Sequence, residues 1–172
     1  MTPANRTLIV YFSRSGTTAR VGHALAQRLG ADEVVIQDQR AQGRVSVWRA
    51  ALDRLLNTSP PIAPIKAPLE NYDLIVLGTP VWGGRAAAPV RRFLKEYGPR
   101  LPAVAFFCTM GGSGAASTFE DMQARLGKPP RGSCSFDAKA LGTGSYLDAL
   151  DRFAMQLAGE AHPPLSSQPY PA

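Results

Sequence analysis

Four hydroxyl side chains stand within six residues at Ser13, Ser15, Thr17 and Thr18, with Gly16 among them and no carboxylate in the run. Hydroxyls and backbone N–H groups donate hydrogen bonds, glycine admits a close backbone approach, and the missing carboxylate removes a source of repulsion, so the run suits an oxyanion. Its placement strengthens this. The apolar segment Thr7 to Phe12 precedes it and a helical pattern from Thr17 to Leu29 follows, which puts the hydroxyls at a helix N-terminus. There, unpaired N–H groups and the positive end of the dipole favour a phosphate dianion. A plain helix cap is the alternative, but capping requires a single hydroxyl. The glycine spacing of a dinucleotide fingerprint and the Lys-Ser/Thr pair of a P-loop are both absent, which argues against tightly held NAD or ATP.

The elements that must position this loop follow from hydrophobic patterning. Thr7 to Phe12, Glu33 to Gln37, Leu74 to Thr79 and Ala103 to Cys108 are short and continuously apolar, as strands buried on both faces are. Ser133 to Ala140 alternates and reads as an edge strand. Helices are expected at Thr17 to Leu29, Val45 to Leu56, Pro89 to Tyr97, Ser117 to Leu126 and Ser145 to Leu157, several of them closed by glycine. Strand and helix alternate five times, which predicts an α/β fold: a doubly wound five-stranded parallel sheet of order 2-1-3-4-5, with helices on both faces. Ser59 to Pro68 carries four prolines and reads as a connector. The 172 residues fit one domain, with a core of about 7–158 and a loose tail over 159–172.

In these positions the run Tyr11-Phe12-Ser13-Arg14-Ser15-Gly16-Thr17-Thr18 resembles the phosphate loop of the flavodoxin family. Two later segments resemble that family in the same order. Gly78-Thr79-Pro80-Val81-Trp82-Gly83-Gly84, followed by Ala88 to Leu94, is similar to the loop after strand three, where an aromatic residue packs on the isoalloxazine ring. Thr109-Met110-Gly111-Gly112-Ser113-Gly114 is similar to the second flavin-contacting loop. The resemblance spans roughly Thr7 to Leu157 and implies a flavin mononucleotide (FMN) site. Trp82 would cover one flavin face, and backbone donors at Gly111, Gly112 and Gly114 would reach the pyrimidine edge. Packing of Trp82 onto its own domain and a mobile glycine loop are the alternatives.

Two features depart from the electron carriers of that family, which by resemblance place a Tyr in the second loop and acidic residues around the ring. Met110 occupies the loop instead, and Arg14 and Arg85 flank the expected site, where positive charge favours a reduced anionic flavin. These departures favour an oxidoreductase that passes electrons from NAD(P)H to quinones or similar acceptors. A pure carrier docking on an acidic redox partner protein and a flavin-free binding module remain open, as does a homodimer.

Other candidates lead elsewhere. His23 and His162 lack a nucleophile or metal-ligand partner in the pattern, and Trp48 sits at core spacing with Val45, Leu52, Leu55 and Leu56. Cys108 and Cys134, the two cysteines, read as core residues of a reduced protein. The formal charge of +6 is spread along the chain rather than gathered in a tract, which disfavours a dedicated nucleic-acid binder. No stretch approaches the roughly 20 apolar residues of a membrane span. The polar start, Met1 to Arg6, does not read as a signal peptide, and the expected location is the cytoplasm.

Overall fold

The computed structural model describes residues 6–39 and 61–159. The chain opens with β1 (Thr7–Tyr11), α1 (Thr17–Leu29) and β2 (Asp32–Val35). A 3-10 turn at Leu69–Asn71 then leads into β3 (Leu74–Trp82) and the short β4 (Arg85–Ala86). The helix α2 (Ala88–Tyr97), the strand β5 (Ala103–Met110) and the helix α3 (Ala115–Leu126) come next. The strand β6 (Ser133–Asp137), the helix α4 (Ala138–Thr143) and the helix α5 (Leu147–Gly159) complete the described chain.

The sheet runs β2-β1-β3-β5-β6, and β4 pairs antiparallel with β3 outside that path. The other pairings are parallel. With β4 set aside, this is the expected 2-1-3-4-5 order. Strand alternation feeds two cores. Leu8, Val10, Ile75, Leu77 and Phe106 face one side, where α2 and α3 supply Val90, Phe93, Met122 and Leu126. Ile9, Tyr11, Leu74, Val76 and Phe107 face the other, against Val21 and Leu25 of α1 and Leu150 and Phe153 of α5. Burial on both faces explains why the central strands lack a polar alternation. Each fully buried Phe or Leu contributes about 2–3 kcal/mol of transfer free energy as an upper figure.

Several boundaries move for local reasons. The second strand covers Asp32–Val35 rather than Glu33 to Gln37. Beyond it, the Ile36 N–H still donates to the Tyr11 carbonyl at 2.7 Å before the chain turns to an isolated bridge between Asp38 and Ile62. The third strand continues past Thr79 to Trp82 because Gly83 and Gly84, at φ 59° and 72°, fold it back onto β4. The segment Ser133 to Ala140 divides at Asp137, whose carboxylate accepts from the Lys139 N–H at 2.7 Å and caps α4. The last helix starts at Leu147, after Gly144 in the left-handed region, instead of at Ser145. The expected helix Val45 to Leu56 with Trp48, the beginning of the proline-rich connector, and the tail with His162 lie outside the described residues.

Candidate functional site

Three loops leave the carboxyl ends of β1, β3 and β5, the side of a doubly wound sheet where ligands bind. In the first, Gly16 takes φ 87° as the N-cap of α1, and no side chain caps the helix. The helical ladder starts with the Arg20 N–H donating to the Gly16 carbonyl at 2.9 Å, so the preceding first-turn donors point toward the loop. The Ser13 hydroxyl is buried without a hydrogen-bond partner. Ser15 and Thr17 bring their hydroxyls to 3.3 Å of one another on the exposed side. The buried Thr18 hydroxyl bonds that of Thr109 at 2.8 Å, tying the first loop to the end of β5.

The second loop is the β3–β4 hairpin, with Trp82 directly opposite Arg85. Trp82 is 40% exposed and meets Phe12 edge-on, with centroids 5.6 Å apart and planes at 87°. The indole thus packs against Phe12 and keeps a large exposed area. Thr79 differs from the others. Its hydroxyl donates to the Pro80 carbonyl and accepts from the Ala87 N–H, each at 2.9 Å, so it holds the hairpin's return and turns no free hydroxyl to the site.

The third loop reaches α3 through Gly112 and Gly114, at φ 139° and 96°. Gly114 lies so close to the hairpin that a Cβ there would sit 2.9 Å from Val81 Cγ1 and 3.2 Å from Gly84 Cα. The Ser117 hydroxyl donates to the Gly114 carbonyl at 3.2 Å.

Together the loops enclose a hollow of about 450 Å³. Arg14, Ser15, Thr17 and Thr18 line it from the first loop; Pro80, Val81 and Trp82 from the second; and Thr109, Met110 and Gly111 from the third. Gly16, Gly83, Gly112 and Gly114 do not line it but shape the turns that do, and Ser113 does not line it either. Ser13 lines a second hollow of about 520 Å³ with Phe12, Val35, Ile36, Gln37 and Asp38, and Arg14 and Trp82 border both. Sequence reasoning missed Ala138, which enters the first hollow from α4, and the residues Val35 to Asp38, at the end of β2 and just beyond it, that line the second. The exposure of Val35, at 46%, depends on where β2 ends against β1 and leaves no mark in the sequence.

Among the described residues, His23 and Cys108 do not line the hollow. His23 bonds Glu33 through Nδ1 at 2.8 Å and Gln27 through Nε2 at 3.1 Å on the outer face of α1. Burial, with a smaller contribution from Cys134, pushes the Cys108 thiol up to about 12, so it is neutral and inert as a nucleophile near pH 7. Among the described residues no cluster of His, Cys, Asp or Glu fits a metal ion, and no helix is long and apolar enough to cross a membrane.

The flavodoxin family model matches residues 6–131. Among solved structures, a flavoprotein in complex with FMN from Lactobacillus acidophilus NCFM is 24% identical, with a TM-score of 0.66 over 83% of this chain and 99% of that one. The Streptococcus pneumonia TIGR4 flavodoxin is 15% identical, with a TM-score of 0.57 over 90% of this chain and 98% of that one. A flavodoxin, WrbA-like protein from Agrobacterium tumefaciens is 18% identical, with a TM-score of 0.54 over 91% of this chain and 98% of that one. At such identities the likeness carries the flavodoxin-like fold. No curated protein sequence matches the chain.

Proposed function

Because the chain belongs to the flavodoxin family, we propose that it binds one FMN across its three loops and passes electrons through it. The observation that carries this reading is the buried, unpartnered Ser13 hydroxyl in a loop that opens onto an uncapped helix N-terminus. An unpaired buried hydroxyl costs about 1–3 kcal/mol, and a phosphate oxygen would relieve that cost. Ser13, Ser15, Gly16, Thr17 and Thr18 would hold the phosphate. Trp82 would cover a ring face beside Pro80 and Val81, and the backbone from Thr109 to Gly114 would meet the ring's polar edge, with Met110 at its side.

FMN, when bound, supplies reversible one- and two-electron chemistry. The chain's own residues bind, orient and set the electrostatics. Trp82 and Met110 restrict water on the apolar part of the hollow, while Thr18 and Thr109 fix the spacing between the first and third loops. The test is spectroscopic. Incubation with FMN and removal of the excess should leave a yellow protein with about one flavin per chain, and riboflavin should bind far more weakly. Equal affinity for the two would remove the phosphate loop from the reading.

Whether the chain reduces a small acceptor with NAD(P)H or serves as a carrier between proteins turns on turnover. The exposed Arg14 and Arg85 beside Trp82 favour the reductase of quinones or similar acceptors. Steady oxidation of NADH or NADPH by quinone, with no second protein added, supports it; a carrier shows none. The buried Cys108 and half-buried Cys134, both free thiols, suit a reducing cytoplasm.

A further inference from the structure

Among the described residues, the positive charge of Arg14 and Arg85 at the rim of the site has no ion-pair partner. Arg14 is exposed and borders both hollows beside Trp82, while Arg85 is exposed on β4 as the cross-strand neighbour of Trp82. Arg85 also belongs to a wider set. Half-buried Arg91 of α2 lies within repulsive reach of both Arg85 and Arg125 of α3. The acidic neighbour in that set, Asp121, already accepts from Arg125 Nε at 3.0 Å. Arg85 itself projects from the hairpin strand directly opposite Trp82, which borders both hollows. Positive charge so placed concentrates anions at the site and repels cations.

We propose that this rim selects the redox substrate: the acceptor carries an anionic group, a carboxylate, sulfonate or phosphate, which Arg85 engages while the electron-accepting end enters beside Trp82. The inference rests on the flavin reading and names the class of molecule that the site takes. Arg85 is the specificity residue, and the exposed Arg14 adds to the attraction from the first loop. A guanidinium suits such groups because its fork of donors matches two oxygens at once.

The experiment uses FMN-loaded protein reduced anaerobically with dithionite, freed of excess reductant and mixed with either 1,4-naphthoquinone or its 2-sulfonate. Each quinone takes two electrons and two protons at its carbonyl oxygens and becomes the quinol. The rate with the sulfonate should fall about tenfold between ~10 mM and ~0.5 M salt, because screening removes the attraction, while the rate with the neutral quinone stays nearly constant. Arg85→Gln should lower the sulfonate-to-neutral rate ratio several-fold at low salt, and Arg85→Glu should lower it further. Circular dichroism and the FMN dissociation constant of each variant establish that fold and cofactor are retained. Equal salt dependence for the two quinones, or an unchanged ratio in Arg85→Gln with FMN bound, overturns this inference alone. Protein that takes up no FMN overturns the flavin reading and this inference with it.

Discussion

Ser13 carries a buried, unpartnered hydroxyl and Trp82 an exposed ring, and a bound ligand would account for both. The Ser13 hydroxyl is buried and makes no hydrogen bond, so in ligand-free protein Ser13→Ala should raise stability by up to about 1 kcal/mol, since the unsatisfied group disappears. The same change should weaken FMN several-fold and leave riboflavin almost unaffected, because only the phosphate meets that oxygen. Urea unfolding of apoprotein and parallel titrations with the two flavins give both signs. Loss of apoprotein stability on substitution would show that the hydroxyl has a structural partner. Trp82 combines an edge-on contact with Phe12 and a widely exposed face. Trp82→Ala should cost about 1 kcal/mol or more of FMN binding, whereas Trp82→Phe should keep most of the affinity. Titration followed by flavin fluorescence quenching checks this, and identical dissociation constants for wild type and Trp82→Ala would take the indole out of the site.

At the level of elements, the site depends on how closely the loops approach each other. Gly16 and Gly114 both cap helices in the left-handed region, at φ 87° and 96°, yet their surroundings differ. A Cβ at Gly16 meets nothing within 4 Å, so Gly16→Ala carries mainly the backbone cost of about 1–2 kcal/mol. At Gly114 the same cost is joined by a clash with Val81 and with the Gly84 backbone across the hairpin. Gly114→Ala should therefore lower the melting temperature more than Gly16→Ala and also weaken FMN, because relieving the clash moves the Trp82 hairpin away from the third loop. Comparable melting temperatures for the two variants would contradict the close packing of these loops.

The whole molecule carries a pH dependence at the alkaline end. Burial pushes the Cys108 thiol from its ordinary value of 9.0 up to about 12. Burial first, and then the Glu33 carboxylate, also raises the Tyr11 phenol above 10.0. Both groups keep their protons longer when folded than when unfolded. Their contribution is fully present below the unfolded values and is lost as pH rises through the folded ones. Stability should thus hold near pH 8 and decline from about pH 9 toward pH 12, which urea midpoints at successive pH values will measure. Cys108→Ser is a poor control because it buries a hydroxyl; Cys108→Ala should flatten part of the decline. A midpoint that stays constant over that range would contradict a buried, protonated Cys108. Iodoacetamide at neutral pH should leave Cys108 unmodified in the folded state.

Local pattern determined much of this. The apolar runs from Thr7, Leu74 and Ala103 were legible as strands because both of their faces are buried. The span of α1 was legible from Thr17 to Leu29 because glycines close it at both ends. The hydroxyl run, Trp82 and the later glycines declared three loops, and the alternation of elements fixed which end of the sheet they share. Tertiary structure decided what those residues have left to offer. Thr79, expected among the cofactor-binding residues, has its hydroxyl occupied by Pro80 and Ala87. Thr18 and Thr109, 91 positions apart, hold each other, and Ser13 alone among the loop hydroxyls is buried without a partner. The end of β2, the hairpin that sets Arg85 against Trp82, and the arrival of Ala138 at the hollow depend on pairing between segments distant in sequence. Residue type and periodicity record whether a position tends to be buried and what bonds it is able to make; which of those bonds are already made is fixed only when the strands come together.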